Sequence, residues 1–335
     1  MTIYETTKTT FQLNWYANPY HTPLFVAQSK GWLLEEGIDL AILEACSPSD
    51  VTEVVGAGKV DMGMKAMIHI LAAKDRGIDL TSFGTILDEP PTGLIFKKSM
   101  NIKGIEDLRG KNIGYIGHFG KIMVDDLMKQ AGIPQTEYTM VRVGMNVTDA
   151  IMRGEIDTGI GFTNFQRIEL EELSGEPVGM LRIDELDGLG CCCFCSIQFV
   201  ASDEYYKNNI PKIEGFMRAL RRAMDLTIEY PDEAWDIMCR ANPRLNTPLY
   251  TKIFQRTLPY FSRDLLNVER DWTKVGDFCK HLDILKNDFD QNSIWTNEHV
   301  PSTGKPSVEP VTVGGVLPSD TSPFAVTPEP VAIKT

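Results

Sequence analysis

The sequence has no apolar run long enough to cross a bilayer, and Met1 to Leu13 lack the apolar stretch of a secretory leader. It is short of positive charge: 33 Lys and Arg stand against 46 Asp and Glu, a net charge of -13. That balance argues against nucleic acid and anionic membrane as main partners. There is no paired C-x-x-C zinc spacing, no H-E-x-x-H, no Walker loop and no Ser-His-Asp order. Cysteine is scarce, seven in all, an odd number. With no leader in view, the thiols read as reduced, in a cytoplasmic protein acting on a small molecule. What is present is ordinary for a soluble globular chain, 43% hydrophobic and 24% charged, and 335 residues suffice for two domains.

The scarce cysteines are concentrated. Four of the seven fall in Cys191-Cys192-Cys193-Phe194-Cys195, directly after Gly190. Free cysteine packs as a small hydrophobe, but four thiols together suggest metal, redox or nucleophilic chemistry. In an extended segment Cys191, Cys193 and Cys195 share a face, with neighbours on it about 6.7 Å apart. Thiolates on one ion lie closer, since each metal–sulfur bond is about 2.3 Å, so the chain must bend to bring them together. A cysteine-rich structural strand is the alternative.

An internal echo organises the rest. Gly58-Lys59-Val60-Asp61-Met62-Gly63 recurs 96 residues later as Gly154-Glu155-Ile156-Asp157-Thr158-Gly159. Each copy follows a helical pattern, Asp50 to Ala57 (with Asp50 and Glu53 at capping-box spacing) and Val147 to Arg153. Each helix follows a strand pattern, Asp39 to Leu43 and Thr139 to Val143. Strand–helix–strand units imply parallel pairing, and two copies imply two similar α/β lobes with a ligand cleft at the strand ends. The expected layout is lobe one from 1 to 110, lobe two from 111 to 200, and a return to lobe one with C-terminal helices from 201 to 300. Seven prolines after residue 300 mark 301–335 as a disordered Pro-rich tail. Further expected elements are a strand Phe11 to Tyr16, a strand Val60 to Met64 and a helix Lys65 to Arg76 ended by Gly77.

Lys65 and His69 stand at i and i+4 in that helix and so share a face. A desolvated lysine at a cleft lip can lose its proton and form a Schiff base; a lysine snorkelling over a core histidine has the same spacing. Gly117-His118-Phe119-Gly120-Lys121 lies between a strand, Asn112 to Ile116, and a helix reaching Ala131. Such a loop offers backbone N–H groups to a phosphate, though glycines are ordinary in strand-to-helix turns. Asn14-Trp15 ends the first strand, and Trp15 suits stacking on a planar ring or packing in the core. Asp88-Glu89, before Pro90-Pro91, reads as a solvated turn.

Together these segments resemble the fungal synthase family that makes 4-amino-5-hydroxymethyl-2-methylpyrimidine phosphate for thiamin. The resemblance rests on Leu13-Asn14-Trp15, Pro48 to Glu53, Gly58 to His69, Leu87 to Pro90, Gly144 to Val147, Glu169 to Glu172 and Gly190 to Cys195. It spans about Phe11 to Glu298. It implies a two-lobed type II periplasmic-binding-protein-like fold, a homodimer, and pyridoxal phosphate held as an imine on Lys65. It also implies that the pyrimidine is built from pyridoxal phosphate and the chain's own His69, with iron and oxygen, once per polypeptide. Asn14 and Trp15 would then line the pocket and Gly117, His118, Phe119 and Gly120 take the phosphate. Iron would meet Cys191, Cys192, Cys193 and Cys195, with His21 and His118 as further ligand candidates. The chain departs from the family pattern at His118 and near Thr163, where acidic residues stand. The alternative on the same fold is a solute-binding protein for pyrimidines or sulfonates feeding a transporter.

Overall fold

The computed structural model describes residues 6–45 and 51–302. Asp50, the expected helix cap, and all but the first two residues of the expected tail lie outside this range. Ten strands form two five-stranded sheets. The first sheet takes β1 (Thr7–Gln12), β2 (Ile38–Leu43), β3 (Met62–Ala66), β4 (Leu80–Leu87) and β10 (Ile197–Ser202), in the order β2-β1-β3-β10-β4. The second takes β5 (Thr92–Lys97), β6 (Asn112–Tyr115), β7 (Thr139–Arg142), β8 (Thr158–Phe162) and β9 (Val178–Arg182), in the order β7-β6-β8-β5-β9. In each, the second strand in the order (β1, β6) runs parallel to both neighbours, and the first strand after a passage between the sheets (β10, β5) inserts antiparallel; β10 returns to the first sheet from beyond the second, whereas the second sheet is built wholly from the consecutive strands β5 to β9. This is the two-lobed α/β architecture expected from the echo. The chain passes between the sheets twice, through residues 88–91 and through residues 183–196.

The echoed motif has the same job in both lobes. The Asp61 carboxylate accepts from Thr10 N at 2.7 Å and Thr10 Oγ1 at 2.8 Å, tying the start of β3 to β1. Asp157 accepts from Asn112 N at 2.7 Å, tying β8 to β6. The glycine that opens each copy turns out of its helix with positive φ, 64° at Gly58 and 71° at Gly154.

Three expected boundaries move. The first strand ends at Gln12, so Asn14 and Trp15 lie in the turn beyond it. β3 runs on through Lys65 to Ala66 because its backbone pairs with β10, Lys65 opposite Gln198 and Ala66 opposite Ile197. The following helix therefore starts at Met67 and runs to Asp75, with Gly77 at φ 79° beyond its end. The main core fills the first lobe, where Phe11, Phe83, Phe199 and Phe216 stack against one another. Helices Ile210–Glu229 and Pro231–Ala241 bury their apolar faces in it, as their patterns predict.

Candidate functional site

Lys65 is 2% exposed, the penultimate residue of β3. Facing it across the ladder is Gln198, which is fully buried and accepts from Thr85 Oγ1 at 2.7 Å. His69 stands in the first turn of helix Met67–Asp75. The two residues are thus not on one helical face; a strand-to-helix corner brings them near. Met67 N donates to Ser196 O at 3.0 Å and fixes that corner. Burial, with the Lys65 charge next, holds the His69 imidazole well below its usual pKa, so it is neutral. Its ring meets Phe119 edge-on, centroids 4.8 Å apart, and this contact joins the first lobe to the second.

The turn after β1 forms a closed polar chain. Asn18 N donates to His21 Nδ1 at 3.2 Å, so the proton of a neutral His21 sits on Nε2, 3.0 Å from Asn14 Oδ1. Asn14 Nδ2 then donates to Tyr20 Oη at 3.2 Å. Burial lowers the His21 pKa to about 3. Both its ring nitrogens are engaged, so His21 is not a metal ligand here. Asn14 is oriented by this chain, and Trp15 Nε1 is buried with no hydrogen-bond partner among the described residues.

The Gly117–Gly120 segment is not a loop. Gly117 caps helix His118–Gln130, and His118, Phe119 and Gly120 form its first turn. The opening N–H groups of a helix have no partner within it, and no acidic residue stands in this first turn. A Cβ on Gly117 would meet nothing within 4 Å, whereas one on Gly120 would lie 2.9 Å from Ile160 Cδ1. His118 is exposed. A buried amine, a neutral imidazole, an indole N–H without a partner and an open helix N-terminus fit an aromatic aldehyde phosphate such as pyridoxal phosphate.

The cysteine run bends rather than extends: Cys193–Cys195 is a 3-10 turn, closed by Ser196 N donating to Cys193 O at 2.9 Å. Its thiols diverge. Cys191 and Cys193 sink into an apolar cluster, 1% and 0% exposed. Cys195 is held up to about 12 by burial, with Thr92 and the Lys65 charge opposing, so it belongs to the Lys65 surroundings. Cys192 and Cys193 instead converge with Glu89, their ligand atoms all within 4.8 Å of one another. Two thiols and a carboxylate fit iron or another thiophilic divalent ion. The Cys192 thiol is pushed up by its contact with Cys193, then by burial and the Glu89 charge.

Asp88-Glu89 is accordingly not a solvated turn. Both are half-buried, and burial raises the Asp88 carboxyl to about 7 against the opposing Ser262 hydrogen bond. The reading of the sequence missed Glu89, Ser196 and Gln198; only the proline pair after Glu89 hinted that its backbone is fixed. Thr163, where the family pattern is acidic, donates through N to Pro91 O at 2.9 Å and through Oγ1 to Met180 Sδ at 3.0 Å.

A family model described as NMT1/THI5 like matches residues 18–234. The 4-amino-5-hydroxymethyl-2-methylpyrimidine phosphate synthase of Legionella pneumophila is 57% identical over 304 residues, covering 91% of this chain and 96% of its own. The synthase of that name from Aspergillus parasiticus is 50% identical, with 89% of each chain covered. THI12 of Saccharomyces cerevisiae, which carries the same name, is 49% identical, with 88% of each covered. A bacterial relative at this identity widens a resemblance drawn from fungi. Among solved structures, the alkanesulfonate-binding protein SsuA of Xanthomonas axonopodis pv. citri superposes with a TM-score of 0.67 at 16% identity, over 87% of this chain and 99% of that one. The CA3427 product of Candida albicans, described as having the generic periplasmic binding protein fold, gives 0.66 at 16%, over 89% and 98%. These likenesses show the fold.

Proposed function

This chain belongs to the NMT1/THI5-like family, and from that premise we propose how its own residues make the thiamin pyrimidine precursor. It is a 4-amino-5-hydroxymethyl-2-methylpyrimidine phosphate synthase, the activity of relatives 48–57% identical over most of their length. The solute-binding alternative has only the shared fold behind it, at 16% identity. The finer reading takes pyridoxal phosphate and His69 as the two substrates, with iron and oxygen, one turnover per polypeptide. A homodimer in the cytoplasm belongs to the same proposal; the six described cysteines are all free thiols, which suits a reducing compartment. No helix among the described residues is long and apolar enough to cross a membrane.

The observation that carries the reading is the convergence of Lys65, His69 and the helix at Phe119 on one corner. Lys65 would hold the substrate by condensing its unprotonated amine with the aldehyde, the carbonyl oxygen leaving as water. The N-terminus of helix His118–Gln130 receives the phosphate, as backbone N–H groups and the helix dipole favour an anion. Trp15 offers its ring face and its spare N–H, and the Asn14–His21–Tyr20 chain stiffens that wall. His69, kept neutral by burial, presents an imidazole ring that Phe119 holds edge-on. Iron held at the cysteine turn would supply the oxidising chemistry with oxygen that breaking open an imidazole requires.

Borohydride treatment of the chain incubated with pyridoxal phosphate should fix the ligand to the peptide carrying Lys65, and Lys65→Ala should abolish both the adduct and the pyrimidine. An adduct on that same peptide in the alanine variant would contradict the anchoring role. A solute-binding protein would bind its ligand and yield no pyrimidine after iron and oxygen are added.

A further inference from the structure

We propose that Gln198 is a catalytic residue, whose amide nitrogen donates to the aldehyde oxygen of the substrate while the Lys65 amine condenses with the aldehyde carbon. The role rests on the function proposed above; the placement of the donor rests on the sheet. Gln198 stands directly opposite Lys65 in the antiparallel ladder of β10 with β3. Residues paired in this way point their side chains to the same face, with Cβ atoms about 5 Å apart. The amide and the amine therefore rise side by side from neighbouring strands. Both are shut away from solvent, Gln198 fully and Lys65 to 2% exposure.

The other edge of β10 aims the amide. The ladder with β4 shifts register on both sides of Gln198 and Phe199, which places Thr85 opposite Gln198. Such irregularities re-aim side chains. Thr85 Oγ1 donates to Gln198 Oε1 at 2.7 Å, and Ser82 Oγ lies 3.5 Å from the same oxygen. β3 and β4 flank β10 on opposite sides. The oxygen and nitrogen of an amide point apart, so an oxygen held on the β4 side leaves Nε2 on the Lys65 side. Nε2 is buried with no partner among the described residues. A buried donor without an acceptor is rare and costly, so this one points to an acceptor on a ligand. The chemistry at Lys65 supplies that acceptor. As the nitrogen–carbon bond forms, the carbonyl π pair moves onto the oxygen, two bonds from the Lys65 nitrogen. That oxygen then takes two protons from the amine and leaves as water. A donor fixed beside the amine stabilises the negative charge where it gathers. An uncharged donor suits this place, because a carboxylate there would pair with the Lys65 ammonium and hold it protonated.

The test follows capture of pyridoxal phosphate by the full chain without added iron. The reaction is stopped with borohydride at intervals and read by mass spectrometry as adduct on the Lys65 peptide. Binding of pyridoxine phosphate, which carries an alcohol in place of the aldehyde, is measured alongside. Gln198→Met keeps the length of the side chain without its donor. It should slow capture by at least about tenfold and hold pyridoxine phosphate within about twofold of the parent. Gln198→Glu keeps the bond from Thr85 and sets an oxygen beside Lys65, so it should slow capture further. Thr85→Val releases the amide oxygen and should slow capture less than either. Circular dichroism verifies folding. Capture at the parent's rate in Gln198→Met, or in Gln198→Glu where the methionine variant does not fold, would overturn the inference. An equal loss of capture and of pyridoxine phosphate affinity would overturn it too, since that marks a structural role. No adduct in the parent chain would instead contradict the anchoring by Lys65, and this role with it.

Discussion

His21 and His69 are both driven toward the neutral imidazole by burial, yet they face different things. His21 spends both nitrogens on Asn18 and Asn14, whereas His69 turns its ring to Phe119 and the Lys65 corner. The His21 pKa, near 3 when folded, lies below the free value of 6.5. Between those values the unfolded chain takes up a proton that the folded chain refuses. Stability from this residue is full above 6.5 and falls toward pH 3, by up to about 1.4 kcal/mol per pH unit. Asp88 acts in the opposite sense: its folded pKa of about 7 exceeds 3.8, so its contribution falls as pH rises through that window. A global melt would mix the two effects. Nitrogen-detected NMR of labelled histidine separates them: His21 should stay the Nε2–H tautomer from pH 8 to 5, and a resonance titrating near 6.5 would contradict the burial argument. The pairing of Lys65 with His69 was legible in the sequence, but not its geometry. Met62 to Ile70 contains no breaker after Gly63, so nothing local marks Ala66 as the end of a strand; the pairing with Gln198, over a hundred residues away, decides it. Glu89 was illegible for a similar reason, because its partners lie on a distant crossing.

The echoed units show what an element can carry in its own letters. The aspartate of each copy ties its strand to the neighbouring one, and the closing glycine allows close packing. A Cβ on Gly159 would sit 2.3 Å from Val147 Cγ2, so Gly159→Ala should cost about 1–3 kcal/mol by overpacking. Asp61→Ala leaves the Thr10 N–H unpaired in a half-buried place and should cost a similar amount, about 1–3 kcal/mol. Urea unfolding monitored by circular dichroism measures both, and a midpoint unchanged in either variant would refute the role given to that residue. The cysteine run was less readable. An extended strand and a 3-10 turn bury cysteine equally well, and the choice is made by Ser196, whose bonds to Cys193 and Asp88 close the turn. The glycine segment at 117–120 was likewise a helix start, since Gly117 ends the extended approach and His118 already has helical bonding.

Across the described residues, the two sheets repeat one strand order, with one inserted antiparallel strand in each, and the first sheet takes its inserted strand β10 from beyond the second. The duplication was readable because each lobe folds from local strand–helix–strand units. The return of β10 to the first sheet and the place of β5 in the second were not, because both follow from crossings that carry no repeat. Those crossings bring the lobes together where Lys65, His69, Phe119 and the Glu89–Cys192–Cys193 donors stand, and Asn164 Nδ2 donating to Thr257 Oγ1 at 2.9 Å links the end of β8 to the C-terminal helices. The central claim is that His69 is consumed. A histidine acting as acid or base survives turnover, while one used as substrate leaves its peptide altered and limits product to one per chain. The deciding measurement is mass spectrometry of the peptide containing His69 after reaction with pyridoxal phosphate, iron and oxygen, with pyrimidine counted per polypeptide. The account predicts a peptide changed in mass at His69, at most one pyrimidine per chain, and none from His69→Asn. An intact His69 peptide beside many pyrimidines per chain would contradict it.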